Sequence, residues 1–481
     1  MILPSPAGPY NERTVKIGIV GAGSACFSLS LVKDVCLARR LRGSTVCLMD
    51  IDPVRLEIAH GLSRRFASEL GASIRLEKTL SRRRCLEGAD FVVDTALSAG
   101  GSHRNLRRGW AIARRLGYRI GGSLHVMHDE AFWVNFHQFR LMESLTRDIL
   151  ATCPKAWLLL VANPVFAGTT LLGRKYPRAR VVGLCHGFGG LYSLANRVGL
   201  KDPGQISFEV AGVNHFIWLT GFRYRGRDAY PAVDRWLKRK GPAFWRSSRC
   251  GTGDEAGPKK ADLYRRYGAW PVGDTAHVAG GGWPSWYYSS RVAERRWKED
   301  GMSWWAGHFR GVAREPRRIG EIVADRKTSL VRAFGGEPSG EQMIPLIECL
   351  AYGVSTSGET PRPSSAKRFV VNIPNRGGFV PGIPADVAVE IPAWADRGGI
   401  HGIRTSGLPP AVLVHTLRDL VGTMEMELLA YGRGDRGCLR ELVMTDPWTR
   451  FPEQADRLVD RILAMPSNEA LRRHYRGQGR G

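Results

Sequence analysis

Within a chain of 481 residues, the run Val182–Phe188, VGLCHGF, sets Cys185 and His186 side by side after a short apolar segment. Neighbouring side chains leave a strand end in different directions, so one of the two addresses a given point and its partner comes from elsewhere. His215, closing the run Val210-Ala211-Gly212-Val213-Asn214-His215, is the candidate partner, an imidazole that again follows a β-like segment and a glycine. A thiolate and an imidazole brought together hold a divalent metal, which makes Cys185 and His215 candidate ligands. Further on, Tyr267, Asp274 and His277 offer an acid or a base within one short span.

Such residues need a scaffold, and the first half of the chain reads as one. Val15–Val20 is expected to be a buried strand running into Gly21-Ala22-Gly23-Ser24 and then a helix. Glycines permit the tight turn and let a pyrophosphate approach the backbone, where helix N-terminal amides meet its charge. A second strand, Thr45–Met49, ends in Asp50-Ile51-Asp52. Acidic residues there accept ribose hydroxyls and repel a 2′-phosphate, so Gly21, Gly23, Ser24, Asp50 and Asp52 are candidate contacts for NAD rather than NADP. Cys26 stands where the usual fingerprint has its third glycine. Phe91–Asp94 is another expected strand, and Asp129 and Glu130 are read as opening a long amphipathic helix. Trp157–Val161 ends at Asn163-Pro164, where the asparagine is placed either to donate to a cofactor or to form an Asx-turn. Val181–Leu184 brings Cys185 to the same edge. The pattern predicts an α/β chain with a Rossmann-type parallel sheet over residues 1–200 and a mixed α/β domain for substrate, metal and oligomer contacts over 201–481. Gly251–Lys260 is expected to be a mobile loop, and amphipathic helices are expected over Ala411–Tyr431 and Glu453–Ala464.

An apolar fraction of 43% fits a globular protein with a sizeable core and argues against disorder. The start, MILPSPAGPYNERT, lacks an apolar signal core, no apolar run approaches membrane length, and nine cysteines without repeated spacing fit free thiols. A cytoplasmic protein without a membrane partner is expected. The net charge of +25 is dispersed, as in Arg82-Arg83-Arg84 and Arg317-Arg318, with no aromatic RNA motif or zinc-finger spacing. It reads as a solvated basic surface that steers an acidic small substrate, and no nucleic-acid partner is expected.

Taken together, Lys16–Ser24, Asp50–Asp52, Asn163-Pro164, the tetrad Cys185-His186-Gly187-Phe188, Asn214-His215, Val371–Pro392 and the acidic helix around Glu425–Leu429 resemble the NAD-dependent glycoside hydrolases of family 4, in the lactate and malate dehydrogenase-like superfamily. The resemblance implies that Cys185 and His215 hold Mn²⁺, where ligand softness alone suggests zinc. It implies hydride removal from C3 of the sugar, loss of the C2 proton to a base, elimination of the glycosidic oxygen, addition of water and return of the hydride. That route departs from the usual pair of carboxylates. Tyr267 is the first candidate for the base and Asp274 the second, with His186 helping to protonate the leaving group. The Cys-His-Gly-Phe tetrad resembles that of α-galacturonidases, which implies a uronate glycoside as substrate; a homodimer or homotetramer is expected. Two rival readings use the same nucleotide half. A 2-hydroxyacid dehydrogenase would transfer hydride to added NAD⁺ on balance, and a nucleotide-sensing or nucleic-acid-binding protein would show salt-sensitive affinity for DNA or RNA without metal dependence.

Overall fold

The computed structural model describes residues 13–23, 25–325, 327–353 and 367–476; Ser24 lies outside them. Short apolar segments form β1 (Lys16–Val20), β2 (Thr45–Met49), β3 (Arg75–Thr79), β4 (Phe91–Asp94), β5 (Trp157–Leu160) and β6 (Arg180–Gly183). They run parallel in the order β3-β2-β1-β4-β5-β6. Strand side chains alternate between faces, so Ile17, Ile19, Val93 and Leu159 enter one apolar core while Val20, Val92, Leu158 and Leu160 enter another on the opposite face. The edge strand β3, RLEKT, is correspondingly polar and partly exposed. Chain order reverses between β1 and β4, which opens a crevice outside the carboxyl ends of these strands.

A second, antiparallel sheet follows, built from β7 (Ile206–Val213), β8 (Phe216–Tyr224), β9 (Arg227–Asp228) and β10 (Trp270–Pro271). The chain then returns. β11 (Phe369–Pro374), β12 (Ala388–Asp396) and β13 (Gly399–Gly402) add antiparallel to the edge of β6 and complete a nine-stranded sheet. The sheet begun in residues 1–200 is thus finished by strands from the second half of the chain. An open β6 edge would leave unpaired backbone groups, and β11 pairs with it at Asn372 opposite Gly183.

Three local expectations also change. Asp129 and Glu130 precede their helix, which starts at Phe132; Asp129 pairs with His128 and Glu130 with His215. Gly251–Lys260 is pinned rather than loose: the helix Pro258–Tyr267 begins inside it, and Lys259 and Lys260 are 1% and 2% exposed. Near the C-terminus the helix Pro410–His415 passes through a π-helical turn, Thr416–Val421, into Gly422–Arg433. A π turn shifts the phase of the side chains and is a common mark of functional positions.

Candidate metal and dinucleotide site

The glycine turn between β1 and the helix Ala25–Leu37 crosses over β2, with the N–H groups of Gly21 and Ala22 donating to the Met49 carbonyl at 2.9 and 3.0 Å. Gly21 has φ +89° and lies so close to Ala96 that a Cβ would stand 2.5 Å from its Cα. Asp50, at the end of β2, accepts from the Gly23 N–H at 2.7 Å through Oδ2 and from the Asp52 N–H at 2.9 Å through Oδ1. An ionised carboxylate has about four lone-pair sites, so Asp50 locks the turn and retains capacity for ribose hydroxyls. Asp52 has a different use: its Oδ1 accepts from the N–H groups of Val54 and Arg55 at 3.0 and 3.1 Å and caps the helix Pro53–Glu69. Asn163 is half-buried just after β5, before the helix Val165–Lys175. The crevice thus has a close-packed glycine turn, an oriented carboxylate and a helix N-terminus, the parts a dinucleotide requires.

Cys185 follows β6 at the same edge of the sheet. Its Sγ accepts from the Gly187 N–H at 3.4 Å, in the short turn that leads into the helix Gly190–Val198. His215 arrives from the second sheet. Val213 pairs with Phe216 across β7 and β8, so Asn214 and His215 form the tight turn, and His215 is held at φ 60°. Left-handed backbone is costly for a residue with a Cβ and is tolerated where the surroundings enforce it. Here Asn214 is anchored by donating from Nδ2 to Glu390 at 2.9 Å. Asp274 lies beyond β10, on a loop fastened to the strands. Thr275 Oγ1 accepts from the Ile217 N–H at 2.7 Å and donates to the Ile217 carbonyl at 2.9 Å. Before it, Gly273 is clamped by Glu255 and Lys260: its N–H donates to Glu255 at 3.3 Å and its carbonyl accepts from Lys260 at 2.6 Å. Gly273 also packs so tightly on Gly187 that a Cβ would fall 1.9 Å from the Gly187 carbonyl oxygen.

These constraints bring one ligand atom each of Cys185, His215 and Asp274 within 4.8 Å of one another. His215 Nε2 is 3.7 Å from Asp274 Oδ2, and its Nδ1 is 3.3 Å from Glu130 Oε1. A carboxylate behind the far ring nitrogen is the arrangement that orients a ligating histidine. Burial raises the Cys185 thiol pKa, with His215 pulling the other way. Burial alone would lower His215, but the hydrogen bonds to Cys185 and Glu130 prevail and its pKa ends well above the usual imidazole value. A divalent cation among a thiol, an imidazolium and a carboxylate would displace these protons, so the donor set fits a metal whose binding releases protons.

The remaining sequence candidates fall elsewhere. His186 is half-exposed, with Nδ1 3.7 Å from Glu341 and its ring beside Phe188. Tyr267 sits at the end of its helix against Trp218 and Trp283, with its hydroxyl 3.3 Å from His415 Nε2. Glu130 and Glu390 have roles the sequence reading did not give them. Glu390 is 1% exposed, and burial pushes its carboxyl up to about 7. Its signal was an acid in the middle of the apolar strand Ala388–Asp396, a conflict between local pattern and burial that marks functional or strained positions.

Fold and site together define a Rossmann-type α/β protein with a candidate thiolate, imidazole and carboxylate metal centre at the carboxyl edge of its parallel sheet. Residues 16–200 match the Family 4 glycosyl hydrolase model, and residues 210–449 match the model of the Family 4 glycosyl hydrolase C-terminal domain. The chain belongs to this family and is a glycosidase. An alpha-glucosidase of Erwinia rhapontici is 26% identical over 479 residues, covering 93% of this chain and 97% of that protein. An alpha-galacturonidase of Bacillus subtilis is 24% identical over 468 residues, covering 93% of this chain and 97% of that protein. The 6-phospho-alpha-glucosidase from gut microorganisms, solved in complex with NAD and Mn²⁺, shares the fold with a TM-score of 0.71 at 17% identity, covering 94% of this chain and 98% of the other. Among the described residues no helix is long and apolar enough to cross a membrane.

Proposed function

We propose that this family 4 enzyme cleaves α-linked galacturonides with NAD and Mn²⁺ as cofactors, and the observation that carries the reading is the convergence of Cys185, His215 and Asp274 at the sheet edge that also carries the glycine turn. NAD held by Gly21, Gly23 and Asp50 would supply a hydride acceptor and donor, and Mn²⁺ held by Cys185 and His215 with Asp274 nearby would supply the charge that polarises sugar oxygens. Glu130 fixes the His215 ring, and Glu390 fixes the turn that carries it. Asp274 is favoured over Tyr267 as the base for the C2 proton. Its Oδ2 faces His215, while its Oδ1 is 4.0 Å from His277 Nδ1. That Nδ1 accepts the Ala279 N–H at 3.0 Å, and burial lowers the His277 pKa to about 4, so no proton is offered to Asp274 from that side. Tyr267, by contrast, lies against Trp218 and Trp283, with its hydroxyl 3.3 Å from His415 Nε2. His186, beside Glu341, keeps the role of a helper at the leaving group.

Support for a uronate comes from the Cys-His-Gly-Phe tetrad, the net charge of +25 and the galacturonidase relative; the α-glucosidase relative makes neutral glucosides the control. A thiol ligand requires reducing surroundings, and the described cysteines are all free, which supports a cytoplasmic setting. The test is a panel of nitrophenyl α-glycosides with Mn²⁺, NAD⁺ and a thiol reductant each present or absent. Galacturonide should be the best substrate, and turnover in D₂O should place deuterium at C2 without net NADH. Faster release from the glucoside refutes the substrate; activity without NAD⁺ and with unlabelled C2 refutes the route.

A further inference from the structure

The loop that follows β4, residues 95–102, is tied to the glycine turn on one side and to the C-terminal region on the other. Thr95 donates from its N–H and from Oγ1 to the Val20 carbonyl, both at 3.0 Å, and Ala96 is the residue that packs on Gly21. A dinucleotide lies across the point where strand order reverses, here between β1 and β4, so this loop forms the β4 side of its bed. Its stretch Ser98-Ala99-Gly100-Gly101 has two adjacent glycines, a backbone that ranges widely unless held. Buried side chains hold it. Gln138, 0% exposed, accepts from the Ser98 N–H at 2.6 Å through Oε1 and donates from Nε2 to the Ala96 carbonyl at 3.1 Å. Gly100 lies so close to His137 that a Cβ would stand 2.3 Å from the ring, and its carbonyl accepts from Asn105 Nδ2 at 2.6 Å.

Asn105 is itself fixed by residues more than 360 positions later. Its Nδ2 also donates to Asn468 Oδ1 at 2.9 Å, 363 residues away, and its Oδ1 accepts from Ser467 Oγ at 2.6 Å. An amide NH₂ has two donors, and both are committed. Asn468 in turn donates from Nδ2 to the Ile462 carbonyl at 2.9 Å, near the end of the helix Pro452–Leu463. Asn105 and Asn468 are 3% and 0% exposed, so a broken bond in this chain strands a buried polar group. We infer that the turn Pro466–Asn468 is a buckle on the nucleotide loop, through which Asn105 and Asn468 hold the loop in the shape that NAD needs. Both are positioning residues, acting on the cofactor through Gly100. A loop ordered before its ligand arrives binds more tightly than one the ligand must order. The inference rests on NAD as the cofactor named above and holds whichever sugar is cleaved.

The experiment measures NAD⁺ and ADP affinity by calorimetry in the full chain, with Mn²⁺ affinity read by EPR. ADP reaches Asp50 and the glycine turn but lacks the nicotinamide half, which extends toward β4. Asn468→Ala should lower NAD⁺ affinity about tenfold and ADP affinity less than about twofold, with Mn²⁺ affinity unchanged. Asn105→Ala should do the same, and the double variant should lose no more than either alone, because both act through one chain of bonds. Ser467 is exposed, so Ser467→Ala spares the fold and should still lower NAD⁺ affinity about threefold. Unchanged NAD⁺ affinity in Asn468→Ala overturns the buckle, as does an equal fall for NAD⁺, ADP and Mn²⁺, which would make the turn a support of the whole fold. Should Asn468→Ala fail to fold, Ser467→Ala decides by the same two criteria. A wild type that binds no NAD⁺ would overturn the cofactor reading and the buckle together, whereas a wild type and variants that bind it equally overturn the buckle alone.

Discussion

The clamp on Gly273 can be tested by replacing Lys260 with methionine. Lys260 and Glu255 form an ion pair at 2.6 Å, with side chains 3% and 13% exposed. Burial raises the Glu255 pKa, with Lys260 pulling it down. Removing one partner of a buried pair leaves the other charge uncompensated and costs ~3–5 kcal/mol. Unfolding entropy of ~2 cal/mol/K per residue over 481 residues gives about 1 kcal/mol/K, so Tm should fall by ~3–5 °C. The double variant Lys260→Met/Glu255→Gln removes the stranded charge and should recover at least half of that loss. Both variants free the Gly273 carbonyl, which Lys260 holds at 2.6 Å directly before Asp274. Mn²⁺ affinity, read from the EPR signal of the free ion, should therefore stay weakened even where Tm recovers. Scanning calorimetry and the EPR titration decide together. A single variant within ~1 °C of wild type, or a double variant that also regains wild-type Mn²⁺ affinity, would refute the reasoning.

Other changes should act on separate parts of the site. Cys185→Ser and His215→Ala should each weaken Mn²⁺ binding at least ~10-fold while NAD⁺ affinity stays within about twofold, measured by calorimetry. Asp50→Ala removes the acceptor for Gly23 and the repulsion of a 2′-phosphate, so the preference for NAD⁺ over NADP⁺ should narrow in a fluorescence titration. Asp94 is fully buried, and burial pushes its carboxyl up to about 7, against ~3.9 for an unfolded aspartate. A raised acid binds more protons when folded, so stability is fullest below the unfolded value and declines as pH rises toward the folded one. Asp94→Asn mimics the protonated form; its Tm advantage over wild type should be absent near pH ~4, grow as pH rises and be complete by pH ~7, and a constant offset across that range would count against it.

Gly21, Gly23 and Asp50 were legible in the sequence because each closes a strand pattern near the start of the chain, although Gly21 also packs on Ala96 beyond β4. Cys185 and His215 were legible as residue types, and the hairpin turn that presents His215 follows from its glycine and asparagine neighbourhood. Tyr267 stands apart from Asp274 because closeness in sequence is not closeness in space. It ends a helix, Gly268 reverses the chain at φ 75°, and β10 carries the chain along β8 before Asp274 is reached. Asp52, read as a candidate ribose contact, also precedes Pro53 and caps a helix, two uses that share one sequence pattern. Glu390 and the return of β11 to β6 were out of reach. Strand pairing over so long a separation leaves no local trace, and a buried acid shows its purpose only once Asn214 stands opposite it.

The late completion of the parallel sheet sets a timetable for synthesis on the ribosome. When Gly183 emerges, β6 has its partner β5 on one side only, and the strand that covers the other side begins at Phe369. At ~5–20 residues per second the nascent chain carries that open edge for ~10–40 s. During this interval the half-made sheet offers a template for pairing with any neighbouring extended chain. Expression of residues 1–200 alone would freeze the protein in that exposed state, so cofactor binding is better studied in the whole chain than in the isolated half.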